Sequence, residues 1–383
     1  MSFLTDAATE MIYPLLPLFL STVLGANASF IGAIEGAAES TAALLKLASG
    51  WWSDKVKKRK PLVVIGYGIA TIARPFTAIA QTATQVLAIR VTDRVGKGIR
   101  SAPRDALLAD SADAETRGRA FGFHAAMDNA GAVLGPLIAF VLLRQFDVSL
   151  RNVFWLAAIP GILAFVVLVV AVREVGHSRS NDSATSHGLD PSVKLGRRFW
   201  LYIGVVFVFT LGNSTDAFLL LRANQLGVAV ALAPILWAFL NLIKAALGTW
   251  GGALSDRFGR RPLIIAGWAI YALVYFGFAR ATEQWHAWAL FASYAVFYAL
   301  TEGTEKAFVA DLIPKERRGA AFGWFNLAIG LGALPASIIF GAIWDRSGAS
   351  TAFTVGATLA ILASAGMFLI SPRQNERVPS PAA

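Results

Sequence analysis

Residues 90–104 read RVTDRVGKGIRSAPR, five basic side chains and one acid in fifteen positions. At about 100° per residue, a helix gathers Arg90, Arg94, Lys97, Arg100 and Arg104 into a stripe roughly 120° wide, with Asp93 on the same face. A guanidinium offers a planar two-pronged fork that matches a carboxylate or phosphate. Two chemistries suit the stripe. Its cations hold nearby carboxylates as permanent ion pairs that set helix register, or some of them let go and grip an anionic group from outside. Acids are at hand, since Glu35 and Glu39 share one helical face with Lys46, and Asp6 and Glu10 stand four apart. Arg90, Arg94, Lys97, Glu35 and Glu39 are therefore candidate binding residues. Arg100 and Arg104, nearer the end of the stripe, are candidate gate residues.

Further on, His124 and Asp128 lie one helical turn apart within an apolar stretch. An imidazole and a carboxylate so placed can carry a proton near neutrality, or simply satisfy each other. With Asp6 and Glu10 they form the candidate proton-handling set. In the second half, Asn213, Asp216, Asn241, Lys244, Tyr298 and Asn326 are polar positions in otherwise apolar segments. They are candidates to line a binding cavity or to bond neighbouring helices.

Composition says what must position these groups. Of 383 residues, 56% are hydrophobic and 15% charged, where soluble proteins carry about 25% charged residues. The chain is expected to be an all-α integral membrane protein. It has no cysteine, which excludes disulfides and thiolate metal sites. No Walker loop and no HExxH pair occurs, so neither an ATP-driven motor nor a metalloenzyme is indicated, and no cofactor or metal is expected. The opening MSFLTDAATE has no basic stretch before an apolar run, so no cleaved leader is expected.

A membrane helix needs roughly 20 mostly apolar residues. Twelve segments qualify: about 2–24, 28–50, 61–80, 84–103, 119–143, 152–173, 199–221, 229–251, 262–280, 286–308, 319–343 and 350–371. A polar linker over 174–198 separates six from six, and a disordered tail is expected at 372–383. The halves, 1–173 and 199–371, are related by an internal repeat. GWWSDKVKKRKPLVV matches GALSDRFGRRPLII, with Asp54 lying 202 positions before Asp256; DALLADSADAETRGRAFG matches KAFVADLIPKERRGAAFG, with Asp110 lying 201 before Asp311. Generic apolar similarity does not explain paired acids and arginines, so two pseudo-symmetric six-helix bundles are expected.

Basic residues crowd the 55–60, 117–119, 197–198, 257–261 and 315–318 connections, all on one side of such a chain. That side is expected to be cytoplasmic, with both termini inside an inner membrane. The net charge of +10 then faces anionic lipid, and a nucleic-acid partner is not implied.

The segment Gly50 to Arg59, with Asp54 at its centre, resembles the G-x-x-x-D-R-x-G-R-R signature of the major facilitator superfamily. Gly252 to Arg261, with Asp256 and Arg257, is similar to it position for position. Lys55 and Lys57 depart from the pattern in the first copy. The resemblance covers essentially the whole chain. It implies a monomeric secondary carrier in which two six-helix halves rock around a midplane site, moving a small molecule and coupled to protons. It also implies that the loop acid latches a gate, with Asp54 and Asp110 meeting Arg317 and Arg318. Glu305 is the repeat equivalent of Arg104, and the two are a candidate gate pair. The superfamily's fourth helix carries an Arg 27 residues before an Arg-Gly pair; Arg90 stands so before Arg117-Gly118, which places the basic stripe inside that helix. Gly131-x-x-x-Gly135-Pro136 is similar to the antiporter signature, without its terminal glycines. The stripe makes a small organic anion or anionic metal chelate the expected substrate; the alternative, motivated by the Gly-Pro motif and aromatic segments, is a proton-coupled exporter of drugs or amphiphiles.

Overall fold

The computed structural model describes residues 1–55, 59–110, 117–172, 195–313 and 318–370, and these residues are helical almost throughout. The helices are α1 (Ser2–Ile12), α2 (Leu16–Thr22), α3 (Ala28–Lys55), α4 (Lys60–Ala73), α5 (Ala83–Asp110), α6 (Arg117–Gln145), α7 (Leu150–Leu156) and α8 (Ala158–Ala171). After the polar stretch come α9 (Arg197–Gly212), α10 (Ala217–Gln225), α11 (Ala233–Phe258), α12 (Arg260–Arg280), α13 (Gln284–Leu312) and α14 (Arg318–Gly366). The expected linker and tail lie outside the described residues.

Among the described residues, eight helical stretches are long and apolar enough to cross a membrane: Ser2–Thr22, Lys60–Ile79, Phe123–Gln145, Leu150–Ala171, Arg197–Gln225, Val230–Gly248, Arg260–Arg280 and Ala321–Leu369. Helices α3, α5 and α13, at 28, 28 and 29 residues, match them in length but carry ionisable residues along their course. The apolar positions of these helices face one another across a continuous core that includes Phe19, Phe154, Phe218, Trp268 and Phe291. This is an all-α, multi-pass membrane protein. The basic stripe lies within a single helix, as the resemblance to the superfamily's fourth helix implies. That helix continues seven residues beyond Pro103, where the apolar pattern ends.

Two helices are interrupted at equivalent places. Pro14 and Pro17 break the first between α1 and α2, where the ring removes an amide donor and crowds the preceding turn. The break between α9 and α10 has no proline: Asn213 leaves helical geometry, followed by Ser214, Thr215 and Asp216. Tyr13 and Ser214 are 201 positions apart, the spacing of the internal repeat. Helix α14 folds back at Gly348, whose φ of 84° is left-handed and favours glycine.

Helix α3 packs along α14, and α6 against α11. The α3–α14 seam is made of backbone. A Cβ added at Gly32, Gly36 or Gly341 would collide with the main chain of the opposing helix. At its start, Asp345 accepts hydrogen bonds from the Ala28 amide (2.9 Å), the Ser29 amide (2.8 Å) and the Ser29 hydroxyl. These are free donors of the first turn of α3, where the helix dipole also favours an anion. Ser40 donates to the Gly330 carbonyl at 2.6 Å. Among the described residues no hydrogen bond joins the two helices beyond that point.

Two arginines at the less basic end close helices. Arg151 donates to the carbonyls of Ala78 and Ala80, both at 2.7 Å. Arg222 donates to those of Phe278 (3.1 Å) and Ala281 (2.8 Å). Unpaired C-terminal carbonyls are costly away from water, so these cations serve helix ends.

Candidate functional site

The stripe on α5 meets its acids. Arg90 grips Glu35 of α3 with both prongs, Nε to Oε1 at 3.0 Å and Nη2 to Oε2 at 2.6 Å. Asp93 lies 3.9 Å from Arg90 and 4.0 Å from Arg94. It also accepts from Arg74 Nε at 2.8 Å. Glu35, Arg90, Asp93 and Arg94 are all buried, the most open of them, Arg90, at 6% exposure. Buried charge of this kind persists only when paired and bonded, and the network meets that demand for Glu35, Arg90, Asp93 and Arg74. Arg74 was not among the candidates: the signal was there, a lone arginine before Pro75 at the end of an apolar segment.

Farther along the stripe the cations are less satisfied. Arg94 Nε is buried without a hydrogen bond, and its distance to Glu39 is 3.7 Å. The Glu39 side chain is 50% exposed. An accessible carboxylate facing α5 in mid-helix marks a water-filled cavity rather than lipid. Lys97 is exposed and forms no ion pair among the described residues. Arg100 rests its guanidinium 4.0 Å from the Tyr67 ring centre, with Nη1 unbonded.

Across the cavity, the two helix breaks deliver Tyr13 and Asp216. Asp216 accepts from the hydroxyls of Tyr294 (2.7 Å) and Tyr298 (3.0 Å) on α13. Lys244 of α11 lies 3.8 Å over the Tyr298 ring. Asn213 accepts from the Tyr271 hydroxyl at 3.3 Å. Between the two groups, Trp237 donates its indole N–H to Glu10 at 2.7 Å and sits against Tyr13, with ring centres 4.9 Å apart. Tyr13 in turn faces Arg90, 5.9 Å from its ring centre. Trp237 and Tyr13 were not anticipated; each is an aromatic in an apolar run and carries no sequence signal of its role.

A carboxyl group cluster joins α1 to α6. His124 Nδ1 lies 3.3 Å from Asp128, Ser2 donates to the same carboxylate, and Asp6 of α1 stands against the same helix beside Gly131. Two carboxyls this close can share one proton. Glu10 lies apart from them, with Trp237. Gly131 and Gly135 face the main chain of α1 at Phe3 and Ala7, so the Gly-Pro motif is a site of close main-chain approach between α1 and α6.

Other candidates have partners within their own half. Asn241 and Asn326 donate to carbonyls of their own helices, those of Trp237 and Phe322. Arg104 pairs with Asp105 at 3.0 Å and Glu305 accepts from Trp268 at 2.8 Å, so the two are not joined in this structure. Arg257 is exposed and lies over the Phe258 ring. Arg317 lies outside the described residues, as do the side chains of Asp54, Asp110, Asp256 and Arg318.

Broken helices around a cavity that holds buried charge inside a membrane bundle define a carrier of small molecules. The chain belongs to the Major Facilitator Superfamily, whose family model matches residues 1–337 and again 201–382. It is similar to an uncharacterized MFS-type transporter of Methanocaldococcus jannaschii, 34% identical over 375 residues, covering 96% of this chain and 92% of the relative. It is also similar to the methyl viologen resistance protein SmvA of Salmonella typhimurium, at 26% identity over 86% of this chain and 77% of that one. Among solved structures, the nucleoside transporter NupG shares the fold with a TM-score of 0.78 at 15% identity, covering 96% of this chain and 96% of that one. The protein is thus a secondary active transporter that works by alternating access, and not an enzyme.

Proposed function

We propose that the protein is a proton-coupled exporter of aromatic cations and related amphiphiles in the inner membrane. The observation that carries this reading is the state of the charges. Arg90, at the head of the α5 stripe, is already neutralised by Glu35 and Asp93, whereas Asp216 is held by two neutral tyrosine hydroxyls. The rings of Tyr294 and Tyr298 adjoin it through those hydroxyls, and the paired rings of Tyr13 and Trp237 stand at the other helix break. A carboxylate beside aromatic faces recognises delocalised or quaternary cations. Methyl viologen, against which SmvA is named a resistance protein, is an aromatic dication. Asp6, Asp128 and His124 are the proton-carrying set in this reading.

The proposed architecture is twelve spans in two six-helix bundles, 1–173 and 199–371, with both termini cytoplasmic. Its support is threefold. The eight apolar stretches are joined by α3, α5 and α13, and the last stretch turns back at Gly348. The two family matches begin 200 residues apart. The breaks at Tyr13 and at Ser214 fall at the repeat spacing.

A second reading, an organic anion as substrate, is favoured by one observation: Arg94 Nε is buried and unbonded beside the exposed Lys97. Transport into proteoliposomes under an imposed proton gradient separates the two. The first reading expects ethidium to accumulate and an aromatic carboxylate not to, with Asp216→Asn reducing ethidium uptake about tenfold or more, as for a lost charge-assisted contact. Accumulation of the carboxylate alone, abolished by Arg94→Ala, would overturn it in favour of the second.

A further inference from the structure

On α13, Tyr298, Glu302 and Lys306 stand at successive turns of one face, and on α11 Lys244 and Gly248 do the same. With Ala299 and Gly303 they line a cavity of about 280 Å³. Gly248 and Gly303 leave open space where a Cβ would stand. Lys244 touches the Tyr298 ring, and among the described residues neither it, Glu302 nor Lys306 forms a hydrogen bond or an ion pair. Glu302 and Lys306 are four apart on one helix, the spacing at which such a pair normally closes. Here it stays open, with both side chains exposed to the cavity. Glu305, the other nearby acid, is turned toward Trp268.

Two ammonium groups and one carboxylate thus surround an accessible space with one surplus positive charge. One ring separates that space from Asp216. The Tyr298 hydroxyl bonds the Asp216 carboxylate at 3.0 Å, while its face carries the Lys244 ammonium at 3.8 Å. A ligand lying along Tyr298 therefore meets a negative group at one end and positive groups at the other.

We propose that the Lys244–Glu302–Lys306 cavity is a second subsite, which takes a carboxylate carried by the same aromatic cation. The preferred substrates are aromatic zwitterions. This rests on the aromatic-cation reading of Asp216 and adds the anionic end to it. Lys306 and Lys244 donate to the ligand carboxylate; Glu302 repels it and sets the strength of the preference. An ester of the same compound keeps the cation, loses the anion, and forfeits the subsite.

Rhodamine B carries a carboxylate and a cationic xanthylium; its ethyl ester carries only the cation. Their binding to the full-length protein in nanodiscs is read by fluorescence anisotropy. Rhodamine B should bind about five- to tenfold more tightly than the ester, a charge-assisted hydrogen bond moderated by solvent. Lys306→Gln should remove that difference and leave ester affinity unchanged, and Glu302→Gln should widen it. Lys306 is exposed, so its variant folds, which a melting curve verifies. Equal binding of the two dyes, or equal weakening of both by Lys306→Gln, overturns the subsite while ester binding upholds the cation site. Binding of neither dye overturns both.

Discussion

The Asp345 latch at the start of the α3–α14 seam gives a quantitative prediction. Its carboxylate accepts two amide protons at 2.9 and 2.8 Å and a hydroxyl from the first turn of α3. In Asp345→Asn one oxygen becomes an NH₂ group, which faces a donor and cannot accept. Charge-assisted bonds contribute about 1.5–3 kcal/mol and neutral ones about 0.5–1.5; the helix dipole adds about 0.3–1 at an exposed site. Asp345 is exposed, so the net loss is about 1–2 kcal/mol, or about 5- to 30-fold in the ratio of closed to open seam. The chain has no cysteine, so one introduced thiol reports without background. Ser337 is 2% exposed and its carbonyl faces Gly32, so Ser337→Cys is protected while the seam is shut. Maleimide labelling of that thiol in proteoliposomes should accelerate about 5- to 30-fold when Asp345→Asn is added. A rate within twofold of the Ser337→Cys parent, in protein that still melts cooperatively, would refute the latch.

Two further outcomes follow from the buried charges. Glu35→Gln leaves Arg90 with Asp93 alone, at 3.9 Å, and should cost about 3 kcal/mol or more, seen as a lower thermal midpoint. Adding Arg90→Gln should recover over half of it, and strictly additive losses would exclude coupling. Asp128→Asn should abolish uphill transport driven by a proton gradient, while substrate exchange and dye binding stay within twofold of the parent. Uphill uptake at the parent rate would remove Asp128 from proton coupling.

Much of the frame could be read before any coordinate was known, because a helix in lipid must be long and apolar and must turn its charges inward. The basic stripe was placed in a helix by its one-sided face together with the resemblance to the superfamily's fourth helix, and its facing acids Glu35 and Glu39 by their shared face. Pairing inside the bundle was harder. Which acid meets which base depends on the rotation and depth of each helix, and those are set by contacts hundreds of residues apart. Glu10 illustrates this, since its partner Trp237 lies 227 positions away. Arg74 escaped notice for a related reason: its partner Asp93 was counted only as a neutraliser of its own helix. Charges at the less basic end read as topology signals, yet Arg151 and Arg222 are helix caps, a role visible only once Ala78 and Phe278 are seen to end nearby.

The α3–α14 seam has a kinetic meaning. Most protein surfaces that meet must first freeze long side chains, and the lost rotamer freedom is large for lysine, arginine, methionine or glutamate. At Gly32, Gly36 and Gly341 there is nothing to freeze, because main chain lies against main chain. Such a surface separates and re-forms with little reordering, the property wanted of a joint that breaks once in every turnover. A bulkier side chain there would hold the two main chains apart and wedge the joint.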